Sequence, residues 1–309
     1  MSELSRIERL SQLFQIRGGT GGIELAIGDD AAVLAPPEGM KLLWTIDDQV
    51  EGTHFRRDLL SLEDLGYRAT MAAASDVAAM GGAPWCILGA LVLPASLRDD
   101  ELEELTRGQK LAADELGAPI VGGNLARGPA LTVTTTVLGA AVTPVTRVGA
   151  LAGDGLWVAG ALGLAAAGFR GLERGEPVPD AALAAWRRPR ALVASGQAMA
   201  GIAHAAIDVS DGLAQDAGHL AKGLKLVLFA EALLACAPPS LLVAAKAVDA
   251  EPLDLILAGG EDYALVCASA DPIVGYTRVG EYVAGEGIWL RDGARETRVA
   301  GGYDHFAGR

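Results

Sequence analysis

The stretch AIGDDAAVLAPP, residues 26–37, places two adjacent carboxylates, Asp29 and Asp30, inside an otherwise apolar run that begins like a strand. A carboxylate buried without a partner costs several kcal/mol, so this placement needs an explanation. The same pattern recurs in TIDDQVEG (45–52), ASDVAAMGG (74–82) and DVSDG (208–212). A divalent cation explains all of these places together, because Mg²⁺ binds carboxylate oxygens and keeps waters and substrate phosphates as its other ligands.

Purely structural explanations also fit the individual aspartates. Asp211, like Ser210, stands where it would cap the helix that follows, and Asp76 stands where it would cap the next helical turn. Adjacent residues in a strand point to opposite faces of a sheet, so one member of each Asp–Asp pair is expected to face the cation. We expect the other member, Asp29 or Asp48, to face solvent.

The composition limits the class of protein. The 309 residues are sufficient for two domains, and 51% of them are hydrophobic, which permits sizeable cores. The formal net charge of -14 argues against a nucleic-acid surface, because no basic block is present to neutralise phosphates. The most apolar region, about 69–93, contains Asp76, two glycines and Pro84, so no membrane span is expected. Three widely separated cysteines and the lack of a recognisable signal peptide indicate a cytoplasmic protein.

Strand-like and helix-like segments alternate along the chain, which predicts an α/β (α+β) protein. The glycine-rich stretch VGGNLARG, 121–128, is interpreted as a turn whose backbone N–H groups approach a phosphate. A second unit begins near RVGALAGDG, so we place the two domains at 1–148 and 149–309. The clearest predicted elements are helices at 62–80 and 98–117, strands at 85–94 and 129–141, and a strand–turn–helix at 204–223.

Motifs of several other enzyme classes are absent. The sequence has no GxxxxGK[ST] loop, no protein-kinase signature set and no GxSxG elbow, and its four histidines form no zinc pattern with the cysteines. An acidic pocket would repel a polyphosphate, but several Mg²⁺ ions would reverse the sign of that pocket. Arg147 would then be able to reach phosphate oxygens, and an exposed loop cation is the alternative explanation for this residue.

Taken in order, these motifs resemble those of the thiamine-monophosphate kinase family. The matching segments extend from about residue 27 to 306 and are IGDDAAVL, TIDDQVEGTHF, LGYRATMAAASDVAAMGGAP, VGGNLARG, the TR pair before GALAGD, IDVSDGLAQDAGHL, AGGEDYAL and GYDHF. IGDD and SDG also occur in a wider superfamily that includes aminoimidazole ribonucleotide synthetase, selenophosphate synthetase and a hydrogenase-maturation protein. EGTHF, GGEDY and the terminal GYDHF are more specific, and the cysteines that mark the sister families are missing.

The resemblance implies a fold and a reaction. The fold would have an N-terminal ATP- and Mg²⁺-binding α/β domain, which contributes strands to a β-barrel in a homodimer, and a C-terminal α/β domain. The reaction would be the direct transfer of the ATP γ-phosphoryl group to thiamine monophosphate, giving thiamine diphosphate and ADP. The implied partners are therefore ATP, thiamine monophosphate and several Mg²⁺ ions.

The matching motifs also imply roles for individual residues. The implied metal ligands are Asp30, Thr45, Asp47, Asp76, Asp208 and Asp211. The residues implied to contact ATP are Gly123, Asn124, Arg147 and Ser210. The residues implied to contact thiamine monophosphate are His54, Glu261 and Tyr303. Tyr303 suits stacking on a flat cationic heterocycle, and packing at the chain end is the alternative for it.

Two positions depart from the family pattern. Asn124 stands where many members carry Asp, and Asp48–Gln49 replaces a usually apolar pair. Two other functions therefore remain as alternatives. One is a sister-family ATP-dependent enzyme that forms a phosphorylated amide-type intermediate, and the other is a non-catalytic nucleotide-binding protein, which the uncharged Asn124 favours.

Overall fold

The structure is a computed structural model that describes residues 3–14 and 21–299. The chain folds as two compact units, one of Met1–Val77 and Gly82–Val142 and the other of Ala78–Gly81 and Thr143–Arg309. Each unit combines helices with a β-sheet, so the predicted two-domain α/β (α+β) class is confirmed. The division of function at 148/149 stays a prediction.

The first unit is built around one four-stranded sheet. Its elements in chain order are α1 (Glu3–Leu13), β1 (Ile23–Leu25), β2 (Val33–Leu34), β3 (Lys41–Val50), α2 (Leu62–Ala79), β4 (Ala83–Leu93), α3 (Asp99–Leu116), β5 (Ile120–Arg127) and β6 (Thr132–Ala141). The sheet has the order β3–β6–β4–β5, and β1 pairs with β2 in a separate ribbon. Only β4 and β5 are parallel within the four-stranded sheet.

The two faces of this sheet differ in burial because side chains alternate along each strand. In β6, the odd-numbered residues from Val133 to Ala141 are buried, and the even-numbered residues are half-buried. In β3, Leu43 and Gln49 are buried on the inner face, whereas Trp44 lies on the exposed outer face. The predicted alternation over 129–141 is therefore confirmed.

Glycines allow α2 and α3 to approach closely. A Cβ atom at Gly66 would overlap the backbone oxygen of Leu105, and one at Gly108 would overlap the backbone oxygen of Glu63. Gly117 ends α3 in the left-handed conformation, with φ 65°, as its position after the amphipathic segment predicts. Both helices lie within the ranges predicted from the sequence.

The interpretation of VGGNLARG as a turn is wrong. Residues Ile120–Arg127 form β5, which runs parallel to β4 with Gly123 opposite Gly89. A Cβ atom at Gly123 would overlap the backbone oxygen of Gly89. The glycine is therefore needed for the close approach of two strand backbones, which gives the same sequence signal as a turn.

The second unit is built around a seven-stranded sheet. Its elements in chain order are β7 (Gly155–Ala159), α4 (Leu164–Arg174), α5 (Asp180–Arg187), α6 (Val193–Met199), β8 (Ala205–Asp208), α7 (Leu213–Leu220), β9 (Leu224–Phe229), α8 (Ala230–Cys236), α9 (Pro239–Ala247), α10 (Pro252–Ala258), β10 (Leu265–Ser269), β11 (Thr277–Ala284), β12 (Gly287–Asp292) and β13 (Arg295–Arg298). The strand order is β13–β12–β9–β11–β7–β10–β8.

The core of the second unit lies between this sheet and its helices. Leu156, Ile207, Leu226 and Val266 come from four different strands and are each at most 3% exposed. Every residue of β8 is buried, so the strand that leads into DVSDG is fixed by packing. Within the described ranges, no single helix has the length and apolarity needed to cross a membrane, and one pair bent by 102°, α8 with α9, meets those criteria by length and composition only.

Candidate active site

An acidic cluster lies on the inner face of the first unit's sheet. The Thr45 hydroxyl, on β3, donates a hydrogen bond of 2.5 Å to Oδ2 of Asp76 in α2. Asp47 follows on the same face of β3, two residues further along. Asp76 lies inside α2, so the alternative that it caps a helix is wrong. Three of the six residues implied as metal ligands are thus brought to one place.

Burial raises the pKa of the Asp47 carboxyl to about 6. The Asp48 N–H, 2.8 Å from Oδ1 of Asp47, lowers that pKa, and the negative charges of Asp76 and Asp48 raise it. Arg68 lowers it through its positive charge. The carboxylate is therefore poorly compensated, and a nearby cation would stabilise its charged form.

Arg68 is the buried cation of this cluster. It belongs to α2, is 0% exposed, and its Nε donates to Oε1 of Gln49 at 3.4 Å. Gln49 is the residue that replaces an apolar family position, and it lies on the inner face rather than pointing outward. The polar residue therefore has a local role as a partner for a buried guanidinium.

Thr135 adds a polar atom that lacks a partner. It lies on β6, directly between Asp47 on β3 and Gly89 on β4, and it is 0% exposed. Its Oγ1 has no hydrogen-bond partner. An unpaired buried hydroxyl beside a poorly compensated carboxylate is a donor set that fits a hard cation. Within residues 3–14 and 21–299, however, no three His, Cys, Asp or Glu side chains already form a metal-binding group.

The two Asp–Asp pairs differ, because only Asp47 and Asp48 are turned to opposite faces of a strand. Asp48 is exposed and accepts a hydrogen bond of 2.5 Å from Thr134 Oγ1 on the outer face. Asp29 is exposed and accepts the Asp30 N–H at 2.8 Å, which shapes the turn. Asp30 is also exposed, so the expectation that strand alternation turns the two members of this pair to opposite faces is wrong: both residues lie between β1 and β2, outside the strands.

His54 is held in a defined ring orientation. Its Nδ1 accepts the backbone N–H of Val50 at 3.0 Å, within the tight turn that follows β3. With Nδ1 as the acceptor, the neutral imidazole carries its proton on Nε2. His54 is half-buried, and in this tautomer its ring N–H is on Nε2.

Gly123 and Asn124 lie at the edge of a small cavity in the first unit. Both are exposed on β5, and the cavity has a volume of about 150 Å³. Its other lining is mainly apolar and includes Leu10, Phe14 and Leu91. An apolar cavity with an amide at its edge is a chemistry that a flat heterocycle fits.

In the second unit, the DVSDG turn surrounds a buried carboxylate that was not among the predicted site residues. Oδ2 of Asp216, in α7, accepts the N–H groups of Ser210 at 2.9 Å and Asp211 at 2.8 Å. Burial raises the pKa of Asp216 to about 6, Asp211 raises it further, and the positive charge of Arg147 lowers it. Arg147 and the turn are therefore close enough to interact.

The residues of the DVSDG turn differ in burial. Asp208 ends β8 and is 5% exposed, whereas Asp211 is half-buried. Oδ2 of Asp211 accepts from Gln215 at 3.4 Å. The N-cap of α7 is Gly212, so neither Asp211 nor Ser210 occupies the capping position that was the structural alternative.

The GGEDY loop is anchored against the same turn. The Glu261 N–H donates to the Ser210 carbonyl at 2.8 Å, and the Tyr263 N–H donates to the Val209 carbonyl at 2.9 Å. Glu261 and Tyr263 have φ values of 67° and 49°, a conformation that non-glycine residues rarely adopt. Such strained residues cluster at functional sites, where the surrounding structure holds them.

Asp262 fastens this loop to α4. Its carboxylate accepts the N–H of Gly163 at 2.7 Å and the N–H of Ala165 at 3.2 Å, at the helix N-terminus. The residue is half-buried as a whole, but its carboxyl group lies deep, and burial raises its pKa to about 7. The two N–H groups lower this pKa, and the charge of Glu261 raises it.

The predicted residues are divided between the two units of the chain. The first unit carries Asp30, Thr45, Asp47, His54, Asp76, Gly123 and Asn124, and the second carries Arg147, Asp208, Ser210, Asp211 and Glu261. Tyr303 lies outside the described residues. The roles implied for all of these residues stay predictions.

Five residues that support the site were not among those predicted from the sequence: Arg68, Thr135, Trp186, Asp216 and Asp262. Two of them had a usable signal. Asp262 lies inside GGEDY, and Asp216 lies a few residues after SDG, in the helix that follows it. The others gain their partners only through tertiary packing, which short motifs do not report.

Comparison with known proteins gives consistent results. Residues 28–141 match the family of AIR synthase related protein, N-terminal domain. The thiamine-monophosphate kinase of Escherichia coli O157:H7 is 34% identical over 315 residues, covering 95% of this chain and 95% of its own. The thiamine-monophosphate kinase of Mycobacterium tuberculosis (strain CDC 1551 / Oshkosh) is 34% identical over 309 residues, covering 97% and 92%.

A solved structure extends the likeness to the fold. AaThiL complexed with AMPPCP and TMP is 31% identical, with a TM-score of 0.81, and the match covers 98% of this chain and 97% of that one. A match that covers 98% of this chain includes both units. The chain therefore belongs to the thiamine-monophosphate kinase family.

Proposed function

We propose that this chain transfers the γ-phosphoryl group of ATP directly to thiamine monophosphate, giving thiamine diphosphate and ADP. The observation that carries the proposal is the likeness, over 98% of this chain, to AaThiL, whose structure contains AMPPCP and TMP. AMPPCP is an ATP analogue that cannot transfer its last phosphoryl group. The geometry of each unit supplies residues suited to one part of this reaction.

Several Mg²⁺ ions are proposed to bind Asp30, Thr45, Asp47, Asp76, Asp208 and Asp211. Bound Mg²⁺ would neutralise negative charge on the ATP phosphates. The Thr45 hydroxyl orients the Asp76 carboxylate, and Arg68 limits the repulsion around Asp47. With a pKa of about 6, Asp47 is still mostly ionised at pH 7, so it is able to act as a ligand.

ATP is proposed to contact Gly123, Asn124, Arg147 and Ser210. Arg147 is exposed, and its positive charge acts on the DVSDG turn, so its guanidinium is suited to phosphate oxygens. Asn124 offers an amide in place of a carboxylate, and its carbonyl oxygen remains a possible neutral ligand for a cation.

Thiamine monophosphate is proposed to contact His54, Glu261 and Tyr303. The Nε2–H of His54 suits the phosphate, because Nδ1 is already engaged with Val50. The carboxylate of Glu261 suits the cationic heterocycle of the substrate. Tyr303 is proposed to stack on that heterocycle, as a cation over an aromatic face.

The chemistry requires little acid–base assistance from the protein. The acceptor is a phosphate monoester, whose second pKa is about 6, so its attacking oxygen is already largely ionised at pH 7. Rate enhancement then comes from alignment of the two phosphates and from neutralisation of their repulsion. Arg147 and Mg²⁺ ions bound by the aspartates are proposed to supply this neutralisation.

A homodimer in the cytoplasm is the proposed working form. The outer face of β3 exposes Leu42 by 48%, Trp44 by 76% and Ile46 by 65%. A contiguous apolar strip of this kind is unfavourable in water and is typical of an interface. A second copy of the same sheet, which would contribute to a β-barrel, is the proposed cover.

The test is a product assay. Purified protein is incubated with ATP, Mg²⁺ and thiamine monophosphate, and nucleotides and thiamine compounds are separated chromatographically. We expect equal amounts of ADP and thiamine diphosphate, no inorganic phosphate in excess, and no product when Mg²⁺ is chelated.

Two other results would contradict the proposal. Tight binding of ATP without turnover of any thiamine compound would favour a nucleotide-binding protein, which the uncharged Asn124 suggests. Release of ADP and inorganic phosphate with an amide substrate would favour the sister-family reaction.

A further inference from the structure

Trp186 is the most prominent buried group near the proposed substrate residues of the second unit. It lies at the end of α5, is 0% exposed, and leads the fully buried side chains in volume. Its ring packs against Phe169 of α4, with 5.3 Å between ring centroids and 36° between planes. A Cβ at Gly168 of α4 would overlap the backbone oxygen of Ala182 in α5, so the two helices are closely packed. The indole is therefore rigidly placed.

The polar end of this indole binds a carboxylate. Nε1 of Trp186 donates to Oε2 of Glu261 at 2.7 Å, across 75 residues of sequence. A buried indole N–H requires an acceptor, and a backbone carbonyl would have satisfied it. A bond to an ionised carboxylate is stronger and also fixes the direction of the side chain.

The backbone of Glu261 is fixed independently of Trp186. Its N–H is bonded to the Ser210 carbonyl, and its neighbour Asp262 is bonded to the N-terminus of α4. The strained φ of 67° at Glu261 sets where the side chain leaves the loop. The bond from Trp186 then holds Oε2 of the carboxylate at a defined place. Backbone and side chain are thus held by different elements.

We propose that Trp186 is a positioning residue for thiamine monophosphate, because its N–H holds the Glu261 carboxylate in the orientation that meets the cationic part of the substrate. This inference rests on the proposed role of Glu261. It assigns to α5 a part in substrate recognition that none of the sequence motifs contains. The ligand class is a cationic heterocycle that carries a phosphate.

Kinetics of Trp186→Phe test the inference, because phenylalanine keeps an aromatic ring and removes the N–H. We expect the KM for thiamine monophosphate to rise about tenfold, with the KM for ATP and kcat changed less than threefold. Trp157→Phe is the matched control. Trp157 lies in the same unit and donates its Nε1–H to the Ser269 carbonyl at 3.1 Å, so its loss should leave both KM values unchanged.

A double-mutant cycle separates this inference from the role of Glu261. If Trp186 acts through Glu261, then Trp186→Phe should add little to the KM increase already caused by Glu261→Gln. Additive effects of the two substitutions would overturn the inference. If Glu261→Gln leaves the KM for thiamine monophosphate unchanged, the proposed role of Glu261 fails first. If Glu261→Gln raises it and Trp186→Phe does not, only the inference fails.

A spectroscopic measurement covers the case in which Trp186→Phe does not fold. Indole emission responds to the charge of a bonded carboxylate, so thiamine monophosphate added without ATP should change the tryptophan fluorescence of the wild-type chain. Trp157→Phe should retain this change. A saturable substrate-binding signal by calorimetry with no fluorescence change in either protein would overturn the inference.

Discussion

At the scale of single residues, Asp47 and Asp48 show how one strand gives two neighbouring carboxylates opposite environments. Asp47 faces inward beside Asp76, and burial raises its pKa to about 6, whereas Asp48 faces outward and is bonded to Thr134. The alternation of a strand was enough to predict this difference from the sequence. It also supplies a matched pair for mutagenesis.

Asp47→Asn is expected to lower kcat roughly a hundredfold or more at saturating Mg²⁺ and ATP, because it removes a charged ligand from the proposed metal site. Asp48→Asn should stay within about threefold of wild type. In Mg²⁺-free buffer at pH 8, Asp47→Asn should be at least as stable as wild type in urea, since a poorly compensated buried charge is removed. A near-normal kcat for Asp47→Asn would show that the metal assignment is wrong.

Asp262 gives a prediction about pH. Burial raises its pKa to about 7 from 3.8, so the folded chain binds this proton more tightly than the unfolded chain. Protonation of Asp262 therefore stabilises the folded chain. This stabilisation is fully present at pH values below 3.8, the pKa of the group in the unfolded chain, and it is lost as the pH rises through about 7. Between pH 6 and pH 8 this group should cost about 1 kcal/mol of unfolding free energy.

Asp262→Asn should remove this component of the pH dependence. Urea unfolding at pH 6 and pH 8 measures the slope for wild type, for Asp262→Asn, and for Asp254→Asn, which changes an exposed aspartate of α10. We expect a flatter profile only for Asp262→Asn. Equal slopes for all three proteins would mean that Asp262 is ionised across this range.

The partners of these residues mark the limit of sequence reasoning at this scale. Asp47 and Asp76 stood out because an aspartate in an apolar run is unusual. Arg68 and Trp186 did not, since a lone arginine or tryptophan in a helix has many ordinary explanations. Their roles depend on Gln49 and Glu261, which are brought to them by packing of other elements. Short motifs contain no information about such distant pairs.

At the scale of elements, the strongly periodic segments were predictable and the glycine-rich ones were not. α2 and α3 lie within the predicted ranges, because their apolar spacing and the terminal Gly117 act together. VGGNLARG was misassigned, because a glycine that permits close strand pairing and a glycine that permits a turn look the same in sequence. Only the partner, Gly89, distinguishes the two cases.

The crossing of α2 and α3 gives a prediction at this scale. Gly108→Ala should destabilise the fold by about 3 kcal/mol, because its methyl group overlaps the backbone oxygen of Glu63 and the helices have to separate. Gly117→Ala, the control, meets nothing within 4 Å and should cost only about 1 kcal/mol for its left-handed φ. Urea unfolding of both variants measures which of the two substitutions lowers the free energy of unfolding more. If Gly108→Ala were the more stable of the two, the close crossing would be wrong.

At the scale of the whole molecule, the chain and its proposed substrates are both negatively charged. The protein supplies only part of the positive charge that is needed to offset their repulsion. The net charge is -14, and both proposed substrates carry phosphate. Arg68 and Arg147 each act on one carboxylate cluster, at Asp47 and at Asp216. Removal of Mg²⁺ should therefore weaken ATP binding more strongly than a moderate rise in salt, because the missing charge is local.

The exposed face of the first unit's sheet gives the last prediction. Trp44 is 76% exposed on β3, between Leu42 and Ile46 on the same face, and a charged group there would have to be buried in the proposed dimer. Trp44→Arg should therefore produce monomers at micromolar concentration in sedimentation velocity, whereas the wild type is expected to sediment as the proposed dimer. Val274→Lys, at a position that is 89% exposed in the second unit, is the control and should remain dimeric. Trp44 lies on the outer face of β3, away from Thr45 and Asp47. The monomeric Trp44→Arg protein should therefore keep its fold, as measured by circular dichroism. A Trp44→Arg protein that remains dimeric would place the interface on another surface.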